Sequence, residues 1–260
     1  MAVFPEVYKA ISYIQTHLYD EISLNKLADY VGYSPFHFSR IFKEQTGLPP
    51  QYFISSLRLQ RAKDLLLKTE LPIRDIGLEI GQQSLGTFTT KFTQKVGVTP
   101  ARFRKSVQSV KDNLNMLKEL QTHHLITKPY GKYNQISGTI QTTEPFEGII
   151  FVGLFSKPIP DSLPLYGTLL VNSDHFAFNM VEPGVYYLLA TSVPWQMKSA
   201  DILLPEETFR YKSNTPFIVD IHVTVPHLEI TLYKPRLDDP PILVSLPLLM
   251  EQFIKRMKQG

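Results

Sequence analysis

The sequence predicts two domains of different class. An N-terminal all-α domain with two helix-turn-helix units is followed by an all-β, sandwich-like domain that ends in a C-terminal helix. The apolar pattern of residues 34–54 returns 50 positions later in residues 84–104. From about residue 132, short β-branched and aromatic runs replace helical spacing. We therefore place the boundaries at 1–105 for the α domain, 106–131 for a helical linker and 132–260 for the β domain.

Charge and proline content divide at the same place. Residues 1–105 carry 14 Lys and Arg against nine Asp and Glu, whereas residues 106–260 carry 13 against 15. Fourteen of the 20 prolines lie in the second part. A basic half joined to a proline-rich, slightly acidic half indicates two domains with different roles, and the basic half favours a polyanionic partner.

Composition excludes several classes of protein. The chain has no cysteine, so it forms no disulfide, thiolate metal site or cysteine nucleophile. The first 21 residues contain no basic leader followed by an apolar run, which predicts no signal peptide. No window approaches the roughly 20 uncharged apolar residues of a membrane span, so we expect a cytoplasmic protein without a membrane partner.

The first helix-turn-helix unit is predicted between Ser23 and about residue 46. Ser23 is an N-cap candidate, and Gly32 ends the helix that follows. Ser34 caps a second helix whose buried stripe is Phe38, Ile41 and Phe42. A helix, a short glycine turn and another helix form the helix-turn-helix pattern.

The second unit repeats this order. Pro72 opens a helix, and Gly81 matches Gly32 at an offset of 49. The turn is one residue longer, so the next helix is offset by 50. Gly77 stands where the first copy has Ala28, and we expect a small residue there because the second helix of the unit crosses at that point.

A long helix is predicted from Pro50 to Lys68, with a basic face at Arg58, Arg61 and Lys63. At about 1.5 Å per residue it would span roughly 28 Å. That length is close to the ~34 Å between successive major grooves on one side of a duplex. One chain would thus present two recognition helices, at about 34–46 and 84–96, to double-stranded DNA.

The ordered motifs LADYVGYSPFHFSRIFKEQTGLPPQYF, RLQRAKDLLL and PIRDIGLEIGQQSLGTFTTKFTQKVGVTPARFR resemble the AraC/XylS family of bacterial transcription regulators. The resemblance covers residues 5–105. It implies seven helices, two helix-turn-helix units and promoter binding as an activator or repressor, with RNA polymerase as a possible partner. The family commonly has its DNA-binding domain last, whereas here it comes first.

Positions outside the apolar stripes are the candidates for DNA contact. On the first recognition helix Arg40 can bind guanine or phosphate, or alternatively pair with Glu44 at i+4. The family's base-reading residues match Phe36, Ser39 and Arg40 by position. The full candidate set is Phe36, His37, Ser39, Arg40 and Lys43 on the first helix, and Ser84, Leu85, Gly86, Thr87, Thr90 and Lys91 on the second.

The second recognition helix departs from the family pattern, because Leu85 and Gly86 offer no side-chain hydrogen bond. Gly86 lowers helix propensity by about 1 kcal/mol relative to alanine. Three explanations stay open: close approach of the backbone to the sugar-phosphate strand, a tight contact between helices, or an absence of selection at this position. Under the first, this helix positions the protein more than it reads sequence.

The second half shows seven candidate strands and then an amphipathic helix from Leu246. The segment FAFNMVEPGVYYLLA, residues 176–190, resembles a hairpin of prealbumin-type, carboxypeptidase-regulatory-like sandwiches, with Pro183-Gly184 in its turn. Such a domain would bind a small-molecule effector or mediate association such as homodimerisation. Candidates for an effector pocket are Trp195, Tyr166, Tyr186 and Tyr187, with rim packing as the alternative.

The linker after Arg104 predicts an amphipathic helix, either a dimerising coiled coil or a helix packed on its own domain. His123-His124 and the Asp220/His222/His227 group admit a metal or catalytic interpretation. Adjacent helical residues face different ways, however, and no GxSxG, HExxH or glycine-rich phosphate motif is present. We expect no enzyme activity, metal or cofactor.

Overall fold

The computed structural model describes residues 3–82, 84–119, 135–171, 173–220 and 225–259. The chain divides into two compact units. The first contains Met1–Arg104 together with Arg236–Val244, and the second contains Lys105–Pro235 and Ser245–Gly260. This division differs from the predicted boundaries because a segment near the C-terminus packs with the helical unit.

The helices of the first unit reproduce the predicted repeat. Helix α5 lies 49 residues after α2, and α6 lies 50 residues after α3 with both ends in register. The bounds are α1 Pro5–Thr16, α2 Leu24–Tyr30, α3 Pro35–Thr46, α4 Pro50–Lys68, α5 Ile73–Glu79, α6 Leu85–Val96 and α7 Pro100–Lys105. The helices that the repeat predicted are therefore confirmed, including the long helix α4.

Matched caps begin and end the two recognition helices, α3 and α6. The hydroxyl of Ser34 accepts a hydrogen bond from His37 N, and that of Ser84 accepts one from Thr87 N, at 3.4 and 3.2 Å. At the other ends Gly47 and Gly97 have φ of 84° and 88°. Glycine adopts this left-handed conformation without the steric cost that a Cβ brings.

A phenylalanine triad holds each recognition helix against the helix that follows it. In the first copy the ring centroid of Phe42 lies 5.5 Å from Phe38 and 5.4 Å from Phe53. In the second copy the Phe92 ring lies 5.6 Å from Phe88 and 5.7 Å from Phe103. All six side chains are fully buried. Each such aromatic pair adds about 0.5–1.5 kcal/mol beyond the burial of its area.

The second unit contains two main sheets. One has the order β4-β1-β8, with β1 and β8 parallel; the other has the order β3-β2-β5-β6, and β7 pairs with a further part of β5. The bounds are β1 Ile136–Thr142, β2 Gly148–Phe155, β3 Tyr166–Val171, β4 His175–Phe178, β5 Gly184–Pro194, β6 Arg210–Lys212, β7 Phe217–Val219 and β8 Leu228–Leu232.

Both sheets contribute to one hydrophobic core. Ile140 and Ile230 come from the first sheet, and Val152 and Leu188 come from the second. Every residue of β2 is buried, which explains why this strand is apolar throughout rather than alternating.

The predicted hairpin at residues 176–190 is wrong. Strand β4 pairs with β1, whereas β5 pairs with β2, β6 and β7. Pro183 therefore lies in the connection between β4 and β5, which belong to different sheets, and Gly184 is the first residue of β5. Alternation of apolar residues shows which face of each strand is buried, but it does not determine the partner strand.

Among its described residues, the second unit has three helices: α8 Val107–Glu119, α9 Ser199–Leu203 and α10 Leu246–Gln259. Helix α8 packs against α9 and α10. The short helix α9 and strand β6 were not predicted from the sequence. His123, His124 and His222 lie outside the described residues. In the described part of the chain, no helix is long and apolar enough to span a bilayer.

Candidate nucleic-acid interface

The outer face of α3 carries the residues that the sequence singled out. Phe36 is 84% exposed, an unusual environment for a phenylalanine. Arg40 and Lys43 are exposed, and Ser39 is half-buried. The ring of half-buried His37 lies 4.7 Å from the ring of Tyr33. The face thus combines an apolar tip with two cations and two smaller polar groups.

The outer face of α6 carries fewer long polar side chains. Leu85, in the first turn of the helix, is 47% exposed. The hydroxyls of Ser84 and Thr87 bind each other at 2.9 Å. Thr90 and Lys91 are exposed one turn further along. Of the α6 candidates, only Lys91 brings a charge to this face.

Two of the cations have weak local partners. Nη1 of Arg40 lies 3.8 Å from Oε2 of Glu44, and both side chains are about half exposed. Nζ of Lys91 donates to Oε1 of Gln82 at 3.2 Å. An exposed ion pair such as Arg40–Glu44 contributes between 0 and about 1 kcal/mol, and the Lys91–Gln82 contact is an exposed hydrogen bond to an uncharged amide. Both cations can therefore exchange these partners for a phosphate or a base.

Gly86 and Gly77 have opposite surroundings. A Cβ built on Gly86 would meet no atom within 4 Å, so no tight contact between helices requires glycine there. A Cβ on Gly77 would lie 3.2 Å from Cβ, Cγ and Cδ1 of Phe88. The steric reason expected for a small residue in α5 is thus present at Gly77. For Gly86, the helix-contact explanation is wrong.

Two arginines fix the loops that lead into the helix-turn-helix units. Arg58 donates through Nε to Leu18 O at 3.0 Å and through Nη2 to Asp20 O at 2.7 Å. Arg104 donates in the same way to Leu66 O and Leu71 O, at 3.2 and 2.6 Å. A Cβ on Gly81 would lie 3.6 Å from Nη1 of Arg58, so this side chain also reaches the turn of the second unit.

The repeat could not have identified this pair, because the residue 50 positions after Arg58 is Gln108. The basic face predicted on α4 is wrong at Lys63, whereas Arg58 and Arg61 are half-buried. Lys63 is fully buried, with Nζ donating to Ile242 O at 2.9 Å and lying 5.6 Å from the centre of the Phe103 ring. Arg61 binds the Tyr19 hydroxyl and Asp64. Arg58, Arg61 and Lys63 thus all bind groups of the unit itself.

The effector candidates lie in the second unit and have partners there. Tyr186 donates its hydroxyl proton to Glu182 O at 2.8 Å, and the Tyr166 oxygen accepts from Glu182 N at 3.0 Å. Burial, and then the neighbouring Tyr166, raises the pKa of Tyr186. Lys118 lies 5.8 Å from the Trp195 ring, and Tyr187 is half-buried. Within the described residues, no three His, Asp or Glu side chains gather as a metal site requires.

Comparison with known proteins identifies the first unit. Residues 27–106 match the family model described as a helix-turn-helix domain. This stretch is therefore similar to a helix-turn-helix domain over both of its helix-turn-helix units. The matched residues contain both recognition helices, so the caps, triads and exposed faces described above lie within the matched domain.

Curated relatives match over the same part of the chain. YobQ of Bacillus subtilis, an uncharacterized HTH-type transcriptional regulator, is 36% identical over 104 residues, which are 40% of this chain and 43% of that protein. A regulator of the same description from Staphylococcus aureus is 32% identical over 108 residues, or 42% of this chain and 14% of that protein. The chain thus spans less than half of these relatives.

Among solved structures, the C-terminal domain of AraT, a response regulator from Geobacillus stearothermophilus, is 32% identical. The match covers 41% of this chain and 88% of that one, with a TM-score of 0.38.

We expect Gly86→Ala to stabilise the protein by up to about 1 kcal/mol, because alanine favours the helix and its methyl group meets no neighbour. Gly77→Val is the matched contrast. It should destabilise the protein by about 1–3 kcal/mol, because its side chain overlaps Phe88. Chemical denaturation of both variants checks the pair. Destabilisation by Gly86→Ala would contradict the open environment of Gly86.

Proposed function

We propose that the protein is a sequence-specific DNA-binding transcription regulator that inserts α3 and α6 into successive major grooves. One observation carries the proposal. The serine cap and the phenylalanine triad that hold a recognition helix occur twice, and each of the two helices has an exposed outer face. The similarity to HTH-type transcriptional regulators of Bacillus subtilis and Staphylococcus aureus supports the same function.

The two recognition helices would have different roles in DNA binding. On α3, Arg40 has the forked donor that recognises guanine, and Phe36 can contact a thymine methyl group. On α6, Lys91 provides a point charge suited to a phosphate, and the other candidates are short or apolar. We therefore assign most base recognition to α3 and most positioning to α6. Phosphate contacts would dominate affinity, which should fall as salt rises.

Arg40→Ala and Lys91→Ala should have different effects on DNA binding. Loss of Arg40 should reduce discrimination against the wrong base by about 1–3 kcal/mol at one position of the site. Loss of Lys91 should weaken binding to all sequences alike and lower the salt slope by about one. Selection of sites from random duplex DNA, followed by anisotropy titrations at several salt concentrations, measures both effects.

Lys255→Ala is the matched control, because it removes one exposed positive charge from α10 in the second unit. It should leave both affinity and base preference unchanged. If Arg40→Ala and Lys91→Ala also leave both unchanged, docking through α3 and α6 is wrong.

We further propose that Gly86 lets the α6 backbone approach the sugar-phosphate strand closely. Gly86→Ala should then weaken DNA binding even though it stabilises the free protein. Anisotropy titration of this variant on the selected site checks the expectation. Unchanged affinity would reject close approach and leave an absence of selection as the explanation for this glycine.

For the second unit we propose a β-sandwich that mediates association with a second copy, in preference to effector sensing. Two of the four effector candidates, Tyr166 and Tyr186, use their hydroxyls to bind the Glu182 backbone. Val185 and Ile218 are paired across β5 and β7 and are 53% and 69% exposed. A solvent-facing apolar pair on neighbouring strands favours a protein contact.

Ile218→Glu should shift a dimer towards monomer, because it places a charge in this apolar pair. Sedimentation velocity over a range of concentrations measures the shift. Leu163→Glu, at an exposed leucine outside the pair, is the control. A wild-type protein that stays monomeric would contradict association and favour a sensing role. In that case, stabilisation by a metabolite in a thermal-shift screen would be expected.

A further inference from the structure

A segment distant in sequence completes the helical unit. We call Arg236–Val244 the strap; it follows β8 and precedes α10, and it belongs to the first unit. Its last three residues, Ile242, Leu243 and Val244, are at most 5% exposed. These residues are buried in a unit whose other residues end at Arg104.

One end of the strap binds the C-terminal turn of recognition helix α3. Gln45, 6% exposed, donates through Nε2 to Oδ2 of Asp238 at 3.1 Å. Its Oε1 accepts from the backbone N of Phe4, the N-cap of α1, at 2.9 Å. A single buried amide thus joins α3, the start of α1 and the strap.

Tyr8 adds a second contact from α1 to the same carboxylate. Burial first, and then the charge of Asp238 and a hydrogen bond to it, raise the pKa of the Tyr8 phenol. The phenol therefore stays protonated at neutral pH and can act as a donor. Asp238 thus accepts a hydrogen bond from Gln45 and lies beside the Tyr8 phenol, which favours this position of the strap against α3.

The other end of the strap binds α4, the helix that joins the two helix-turn-helix units. The ammonium of Lys63 donates to Ile242 O, and the side chain is fully buried. A buried charge is costly unless it is hydrogen-bonded, so this contact strongly favours a docked strap. The strap is thereby attached to the recognition helix through Gln45 and to the linking helix through Lys63.

We infer that the strap is a positioning element for DNA binding: it fixes α3 relative to α4, and so sets the separation at which α3 and α6 meet successive grooves. The inference rests on the proposed function. Gln45, Asp238 and Lys63 are positioning residues, since each lies away from the exposed faces of α3 and α6 and acts through a helix. Both ends of the strap continue into the second unit, so the strap is also a covalent route between that unit and the DNA-binding domain.

Gln45→Glu tests the inference in the full-length chain. The glutamate keeps an oxygen that accepts from Phe4 N, but it places a carboxylate against Asp238 instead of a donor. Asp238→Asn in the same chain restores a donor opposite that carboxylate. We expect Gln45→Glu to weaken binding to the selected site about tenfold and the double variant to regain most of that loss.

Three readouts separate positioning from simple stability. These are affinity for the selected DNA, affinity for sites whose two halves are moved apart or together by one base pair, and hydrogen exchange of the strap amides. Gln45→Glu should change the preferred spacing and release the strap, and the double variant should reverse both effects. Gln15→Glu, an exposed change of the same charge on α1, is the control.

If Gln45→Glu increases hydrogen exchange of the strap amides but leaves DNA affinity and the preferred spacing unchanged, the inference is wrong. The strap then has only a structural role. Unchanged strap protection in Gln45→Glu would overturn it as well, because the Gln45–Asp238 contact would then not hold the strap. If wild-type protein selects no DNA sequence, the proposed function fails, and the DNA role of the strap fails with it. A failure of the proposed function is therefore seen in the wild-type protein, whereas a failure of the inference is seen only in the variants.

Discussion

The packing of three phenylalanines around each recognition helix is the constraint on which the helical unit depends. Phe42 and Phe92 contact a ring on their own helix and a ring on the next helix, with nearly equal centroid distances in the two copies. Interiors are close-packed, so a triad admits one arrangement of the two helices. This arrangement leaves the opposite face of α3 and of α6 in solvent, where Phe36, Arg40 and Lys91 are exposed.

The duplicated framework carries two different surfaces. The phenylalanines that pack each helix are the same in both copies, Phe38 and Phe42 on α3 and Phe88 and Phe92 on α6. The exposed faces of the two helices differ. Arg40 and Lys43 lie on the exposed face of α3, whereas Leu85, Gly86 and Lys91 lie on that of α6. Polar groups inside the unit are used mainly for its own architecture. Arg58, Arg104 and Lys63 satisfy backbone carbonyls, which leaves DNA contact to cations on the outer faces.

Local signals predicted the helical unit closely. Serine caps, left-handed glycines and apolar residues at 3–4 spacing depend on nearby residues, so the bounds of α3, α4 and α6 could be predicted to within a residue. The strands β1 and β2 were predicted for the same reason. Their partners were not, since strand alternation is compatible with several pairings. The parallel pairing of β1 with β8, and the separation of β4 from β5, depend on distant contacts.

The sequence by itself determined that the chain repeats a helix-turn-helix unit, which side of each recognition helix is buried, and where β structure begins. These features follow from periodicity and capping over a few residues. Only the tertiary structure decided that Gly86 is open while Gly77 is crowded, that Lys63 of α4 is buried, and that Arg236–Val244 joins the helical unit. The physical reason is common to all three. Each depends on atoms brought together by packing, as Lys63 and Ile242 are across 179 positions of chain.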